Sequence, residues 1–118
     1  MYLAFHGKPG KIILNGSSVD METLAGLMGK GFSNRIVYFG SCETINVKKD
    51  RICDFMNLTG TLMVMGYDRP IDWLSSTALD LLLLDCLQYY RDMRKFWNFF
   101  GKNYQGMAEI IGLKAFHK

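Results

Sequence analysis

Two residues able to make and break bonds, His6 and Cys42, each fall just after a short apolar run. His6-Gly7 follows Tyr2-Leu3-Ala4-Phe5, and Ser41-Cys42-Glu43-Thr44 follows Ile36-Val37-Tyr38-Phe39-Gly40. A third run, Thr61 to Gly66, gives way to Tyr67-Asp68-Arg69. In open α/β sheets, ligands sit at the carboxyl ends of parallel strands. A cysteine and a histidine at neighbouring strand ends suit thiol attack on an amide carbonyl, with imidazole managing the protons. A free thiol titrates near ~8.5, and a nearby imidazolium or helix N-terminus lowers that value. The tetrahedral oxyanion needs preorganised N–H donors. Gly7 lets its backbone approach a substrate with no Cβ in the way, so the N–H groups of Gly7 and Cys42 are the candidate oxyanion donors.

The residues alone leave plainer readings open. His6 also reads as a polar residue satisfied at a strand end, and Cys42 as a small buried hydrophobe. Cys53 and Cys86 fall within helical patterns and read as core. No CxxC or HxxxH spacing is present, so no metal site is expected, and no cofactor. The eight methionines read as packing.

Composition narrows the classes. The 118 residues fit one domain. At 49% hydrophobic and 21% charged the chain is an ordinary globular one. With 12 Gly and 2 Pro it is neither collagen-like nor low-complexity, and three cysteines do not make a disulfide scaffold. The thiols read as reduced, in a cytoplasm. The longest apolar run, Leu81 to Leu84, is far short of the ~20 residues of a membrane span. Residues 91–118 hold six basic and two acidic side chains, a net of +4, against −1 for residues 1–90. That basic segment has no nucleic-acid motif, so nucleic acid is not an expected partner.

Elements follow from period and punctuation. Met1–Phe5 predicts a short buried strand, and so abrupt a start suggests a minimal protein, a fragment, or one half of something larger. Lys11–Asn15 predicts a second strand ended by Asn15-Gly16. Ser17, Ser18 and Asp20 supply capping chemistry, and Met21, Leu24, Ala25 and Met28 make one apolar helix face. Arg35–Phe39 reads as a central parallel strand covered on both faces. A helix is expected over 48–57, facing Ile52, Phe55 and Met56 inward, then a strand over Thr61–Met65. A long helix begins near Asp72 or Trp73. Its stripe continues through Cys86, Tyr89, Tyr90, Met93, Trp97 and Phe100 to a stop at Gly101, and a shorter helix spans Tyr104–Leu113. Alternating strands and helices imply an α/β fold with a mainly parallel sheet.

The chain resembles the C-terminal part of a CHAT-type caspase-like cysteine peptidase domain. Tyr2-Leu3-Ala4-Phe5-His6-Gly7 is similar to the family's apolar strand leading into His-Gly. Ile12 to Gly16 and Met21 to Leu24 resemble its short hairpin and following helix. Ile36 to Thr44 is similar to the strand and Ser-Ala-Cys-Glu-Thr signature, with Gly40-Ser41-Cys42 standing for Ser-Ala-Cys. Gly60 to Gly66 and Pro70-Ile71-Asp72 resemble the next strand and its Pro-Val-Asp loop. The match covers most of residues 2–90.

That resemblance implies a caspase-like three-layer sandwich, truncated at the N-terminus, over a single domain 1–118 with a basic, aromatic-rich helical tail over 91–118. It implies His6 as base and Cys42 as nucleophile, a dyad needing no third residue, with the Gly7 and Cys42 amides holding the oxyanion. Several relatives cleave after a basic residue, which casts Asp72 or Asp68 as the acidic group for that side chain; Asp72 also reads as a helix N-cap. The expected partners are a peptide or protein substrate and, to complete the sheet, a partner chain or a second copy. The competing expectation is a non-catalytic interaction module on the same fold, its partner surface being Phe96-Trp97-Asn98-Phe99-Phe100 if those aromatics are exposed.

Overall fold

The protein is described here by a computed structural model covering residues 1–117. Strand β1 (Tyr2–Leu3) is followed by a meander of β2 (His6–Lys8), β3 (Lys11–Leu14) and β4 (Ser17–Asp20). Then come α1 (Met21–Met28), β5 (Ile36–Phe39), α2 (Lys49–Thr59), β6 (Met63–Tyr67), α3 (Trp73–Tyr89), α4 (Met93–Ile111) and β7 (Leu113–His117). The main sheet has the order β1-β5-β6-β7. Its first three strands are parallel, and β7 runs antiparallel to β6, so the sheet is mixed. The meander is a separate antiparallel sheet.

Side chains alternate across β5 and β6, as strand geometry requires. Val37, Phe39 and Val64 face a core built with Met21 and Ala25 of α1 and Ile52, Phe55 and Met56 of α2. Tyr38, Met63, Met65 and Tyr67 face the other core, with Leu79 and Leu83 of α3 and Phe96, Phe100 and Ile111 of α4. Helices therefore cover both faces of one sheet, which is a three-layer α/β arrangement. Ile52, Phe55 and Met56 point inward as their spacing predicts. Among the described residues no helix is long and apolar enough to cross a membrane.

Four local expectations are corrected. The first strand is only Tyr2–Leu3, and Met1, Tyr2 and Phe5 are exposed rather than buried, because β1 lies at the sheet edge. Ser17–Asp20 is a strand as well as a cap: Asn15-Gly16 turns the chain tightly, both residues at positive φ, and pairs it back on β3. Asp20 then caps α1 by accepting from the Thr23 N–H at 2.7 Å. The long helical stripe breaks at Tyr90, where Asp92 caps a new helix. That helix, α4, runs straight through Gly101 and Gly106. Each glycine costs about 1 kcal/mol against alanine, which the buried Phe96, Phe100, Ala108 and Ile111 outweigh. Leu113, expected to close the last helix, instead opens the far edge strand β7 (Leu113–His117), so the expected helical tail over 91–118 ends in a strand.

Candidate active site

The site begins with the hairpin that carries His6. His6 opens β2, and Gly7 pairs with Ile12 of β3. A Cβ on Gly7 would overlap the carbonyl of Cys42 and the hydroxyl of Thr44. Glycine is thus what lets the His6-Gly7 backbone lie directly against the turn after β5. That turn is braced from within. The Ser41 and Thr44 hydroxyls are 2.6 Å apart, and Thr44 Oγ1 donates to the Lys11 carbonyl at 3.0 Å. The Gly10 N–H donates to the Thr44 carbonyl at 2.9 Å, a second tie to the hairpin. Ser41 and Thr44 are buried. Glu43 adopts a positive φ of 57°, a conformation that non-glycine residues seldom take. Cys42 is half-buried at the crest of this turn, and its N–H has no acceptor among the described residues.

His6 and Cys42 line one cleft of about 500 Å³. It opens at the carboxyl ends of β1 and β5, between the meander and the first turns of α3. Phe5, Ile13, Ile71 and Trp73 form its apolar walls. A volume of this order falls in the range of ligand-binding clefts, about 300–1,000 Å³.

The floor is polar and was not anticipated. Asp80, only 6% exposed, projects from the second turn of α3 into the cleft. Tyr2 Oη donates to Asp80 Oδ2 at 2.6 Å. Tyr38 and Tyr67 both donate to Asp80 Oδ1, and their own hydroxyls lie 2.8 Å apart. One tyrosine from each of the three parallel strands thus converges on one carboxylate. Burial, followed by the interactions around Asp80, pushes all three phenols well above their ordinary value. They are protonated donors at neutral pH, which makes Asp80 their shared acceptor.

The two acidic residues expected to receive a substrate side chain are placed elsewhere. Asp72 does not line the cleft; it caps α3, accepting from the Ser75 N–H at 2.8 Å, and this contact holds its carboxyl below the usual range. Asp68 pairs with Arg69 at 3.0 Å and Lys114 at 3.9 Å, on the β7 side of the sheet. Asp80 is the one carboxylate lining the cleft among the described residues. The signal for it was a polar pair, Ser76 and Asp80, on the same stripe as buried Leu79 and Leu83. Cys86 is buried in the α3–α4 core, and Cys53 sits on α2 outside the cleft. Among the described residues no group of three or more His, Cys, Asp or Glu is placed to hold a metal ion.

Fold and cleft together define an α/β protein with a thiol and an imidazole at the parallel strand ends. The chain belongs to a family of unknown function, DUF6642, which matches residues 1–117. No curated protein matches it.

Proposed function

We propose that the chain is a caspase-like, CHAT-type cysteine peptidase that hydrolyses peptide bonds with Cys42 and His6. The observation that carries this reading is the shared cleft: one thiol and one imidazole, 36 positions apart in sequence, line the same cavity at adjacent strand ends. The three-layer arrangement and the tight seat of Gly7 on the Cys42 turn agree with it.

In this reading His6 takes the Cys42 proton and the sulfur bonds to the substrate carbonyl carbon. The carbonyl π electrons move to oxygen, and the N–H groups of Cys42 and Gly7 stabilise that oxyanion. The C–N bond breaks as His6 returns the proton to the departing amine. A thioester remains on Cys42. Water then adds with His6 as base, the C–S bond breaks, and the acid leaves with the thiol restored. No third residue is needed to orient His6. The three free cysteines suit a reducing, cytoplasmic setting.

The test is alkylation by iodoacetamide, followed residue by residue. Cys42 should react faster than Cys53 and Cys86, and His6→Ala should slow Cys42 alone. Equal rates at Cys42 and Cys53 would overturn the assignment.

A second reading, a non-catalytic interaction module, is favoured by one surface. Trp73 (79% exposed), Leu74 and Leu81 lie open on α3, while β1 pairs on one side only. A partner chain or a second copy completing the sheet would bury both. The aromatic segment lends this reading little, since Phe96 and Phe100 are core. A sedimentation or size-exclusion series on dilution tests self-association. A monomer throughout, together with selective Cys42 alkylation, favours the peptidase.

A further inference from the structure

Two apolar walls face each other across the cleft. On the hairpin side stand Phe5 and Ile13, the latter the cross-strand partner of His6. Residues directly opposite in an antiparallel pair share one face, so Ile13 lies beside the imidazole. On the helix side stand Ile71, packed against the core of Tyr38 and Leu79, and Trp73, the first residue of α3. Phe5 and Trp73 belong to neither hydrophobic core, and both are exposed. The polar groups between the walls are already engaged within the chain. Tyr38 and Tyr67 donate to Asp80 Oδ1 and Tyr2 to Oδ2, so the carboxylate is satisfied. Ser41 donates to Thr44, and Ser76 Oγ and Thr77 Oγ1 donate to the Trp73 carbonyl at 3.2 and 2.7 Å. Among the described residues no Lys or Arg lines the cleft.

We propose that the cleft selects a large apolar side chain of its substrate, leucine, methionine or phenylalanine, with Phe5 and Trp73 as specificity-determining residues. A charged side chain entering the cleft sheds water and must find a partner there. An arginine or lysine meets a carboxylate already held by three phenols. It could reach Asp80 only by displacing Tyr2, whose ring packs so closely on Gly40 that a Cβ there would meet the phenol oxygen at 2.6 Å. An aspartate or glutamate meets hydroxyls whose protons are already given, and the negative charge of Asp80 behind them. An apolar side chain needs no partner. It leaves water itself and takes the exposed faces of Phe5 and Trp73 with it, so the gain is made on both surfaces. Tryptophan is also among the residues that most often dominate binding energy. The inference rests on the proposed function in taking this cleft as the place where substrate enters, but the binding step itself uses neither Cys42 nor His6.

The test is a binding titration on the full chain, reading the backbone amide resonances of Ala4 and Gly40, which both line the cleft. The probes are N-acetyl-leucine methylamide and N-acetyl-arginine methylamide. Leucine amide should bind at least about tenfold more tightly than arginine amide, the worth of burying one such side chain. Trp73→Glu should reverse the preference, because it removes one wall and sets an unpaired carboxylate at the mouth. That position is exposed and opens a helix, where an acidic residue is well placed, so the variant should fold. Phe5→Ala, a second exposed position, should weaken leucine binding severalfold and leave arginine binding unchanged. Arginine binding as tight as leucine binding, an unchanged preference in Trp73→Glu, or unaltered leucine binding in Phe5→Ala would each overturn the proposal. Leucine preference without selective Cys42 alkylation would leave the apolar selectivity standing and remove the peptidase. Selective alkylation without leucine preference would do the reverse.

Discussion

Tyr2 Oη donates a 2.6 Å hydrogen bond to Asp80, 78 positions away, and so ties the edge strand to the helix beneath it. Strand β1 has only two residues in register with β5. A ladder that short is weak, and the Tyr2 contact gives the edge a second attachment, to α3. The same carboxylate collects Tyr38 and Tyr67 from the two inner strands. One side chain therefore orders the carboxyl ends of all three parallel strands.

Removing that side chain leaves three phenols without their acceptor. Each buried donor left unpaired costs about 1–3 kcal/mol. With Asp80 gone, the Tyr38 hydroxyl is free to donate to Tyr67 at 2.8 Å and the Tyr67 hydroxyl to the Ser76 carbonyl at 3.4 Å, so the loss is partial. Asp80→Ala should destabilise by about 3 kcal/mol, and Tyr2→Phe by about 1 kcal/mol because Tyr2 is partly exposed. Urea unfolding measures both as a shift of midpoint at constant slope. An Asp80→Ala midpoint equal to wild type would mean the cluster contributes nothing to folding.

The seat of Gly7 makes a steric prediction. A methyl group there must displace both the Cys42 carbonyl and the Thr44 hydroxyl. Overpacking of this kind costs about 1–3 kcal/mol, and the hairpin would lift His6 away from Cys42. Gly7→Ala should therefore lose stability and slow Cys42 alkylation toward the Cys53 rate. Gly106→Ala is the contrast: its Cβ meets nothing within 4 Å on the exposed face of α4, and it should gain about 0.5–1 kcal/mol. A Gly7→Ala protein with normal stability and normal alkylation would refute the packing argument.

The convergence of His6 and Cys42 was legible because each follows an apolar strand, and strand ends in a parallel sheet share one rim. The faces of α1 and α2 were legible from their 3.6-residue period. The Asp80 cluster was hidden for a physical reason. A lone aspartate between Leu79 and Leu81 looks like a solvated helix position, and its partners come from three strands far apart in sequence. β7 was hidden because an edge strand is half exposed; Leu113 and Phe116 alone turn partly inward. The run of α4 through Gly101 and Gly106 reversed a local preference, since burial of Phe96 and Phe100 outweighs backbone entropy. Asp72 and Asp68 were read by position along the loop, which does not reveal which side chains line the cleft. A cap bond and two basic neighbours hold them outside the cleft.

Thr44 links the nucleophile's turn to the histidine's hairpin through one hydroxyl. It takes the Ser41 proton and gives its own to the Lys11 carbonyl, so two bonds depend on it. Thr44→Val keeps the shape and removes both, leaving the buried Ser41 hydroxyl unpaired. The expected cost is about 1–2 kcal/mol in stability, with slower alkylation at Cys42 and a changed pH profile for that reaction. Thr44→Ser retains the oxygen and should restore rate and profile. If Val and Ser variants alkylate alike, Thr44 is packing rather than a positioning residue.

The phenol cluster also fixes how the fold fails in base. Tyr2, Tyr38 and Tyr67 have folded values raised above the ordinary 10.0, burial being the largest cause in each case. In the unfolded chain they lose protons near 10, whereas the fold holds them neutral. Above that pH the unfolded state binds fewer protons than the native one, so stability falls as pH rises. Their contribution is complete below about pH 10 and drains away above it. Ultraviolet titration at the phenolate band should therefore show a subset of the six tyrosines ionising only as the protein unfolds. Tyr2→Phe should leave one group fewer in that late step, and Asp80→Asn, by removing the carboxylate, should bring the remaining phenols closer to ordinary values. Six tyrosines titrating together near pH 10, with tertiary structure intact, would show that the hydroxyls are not held by Asp80.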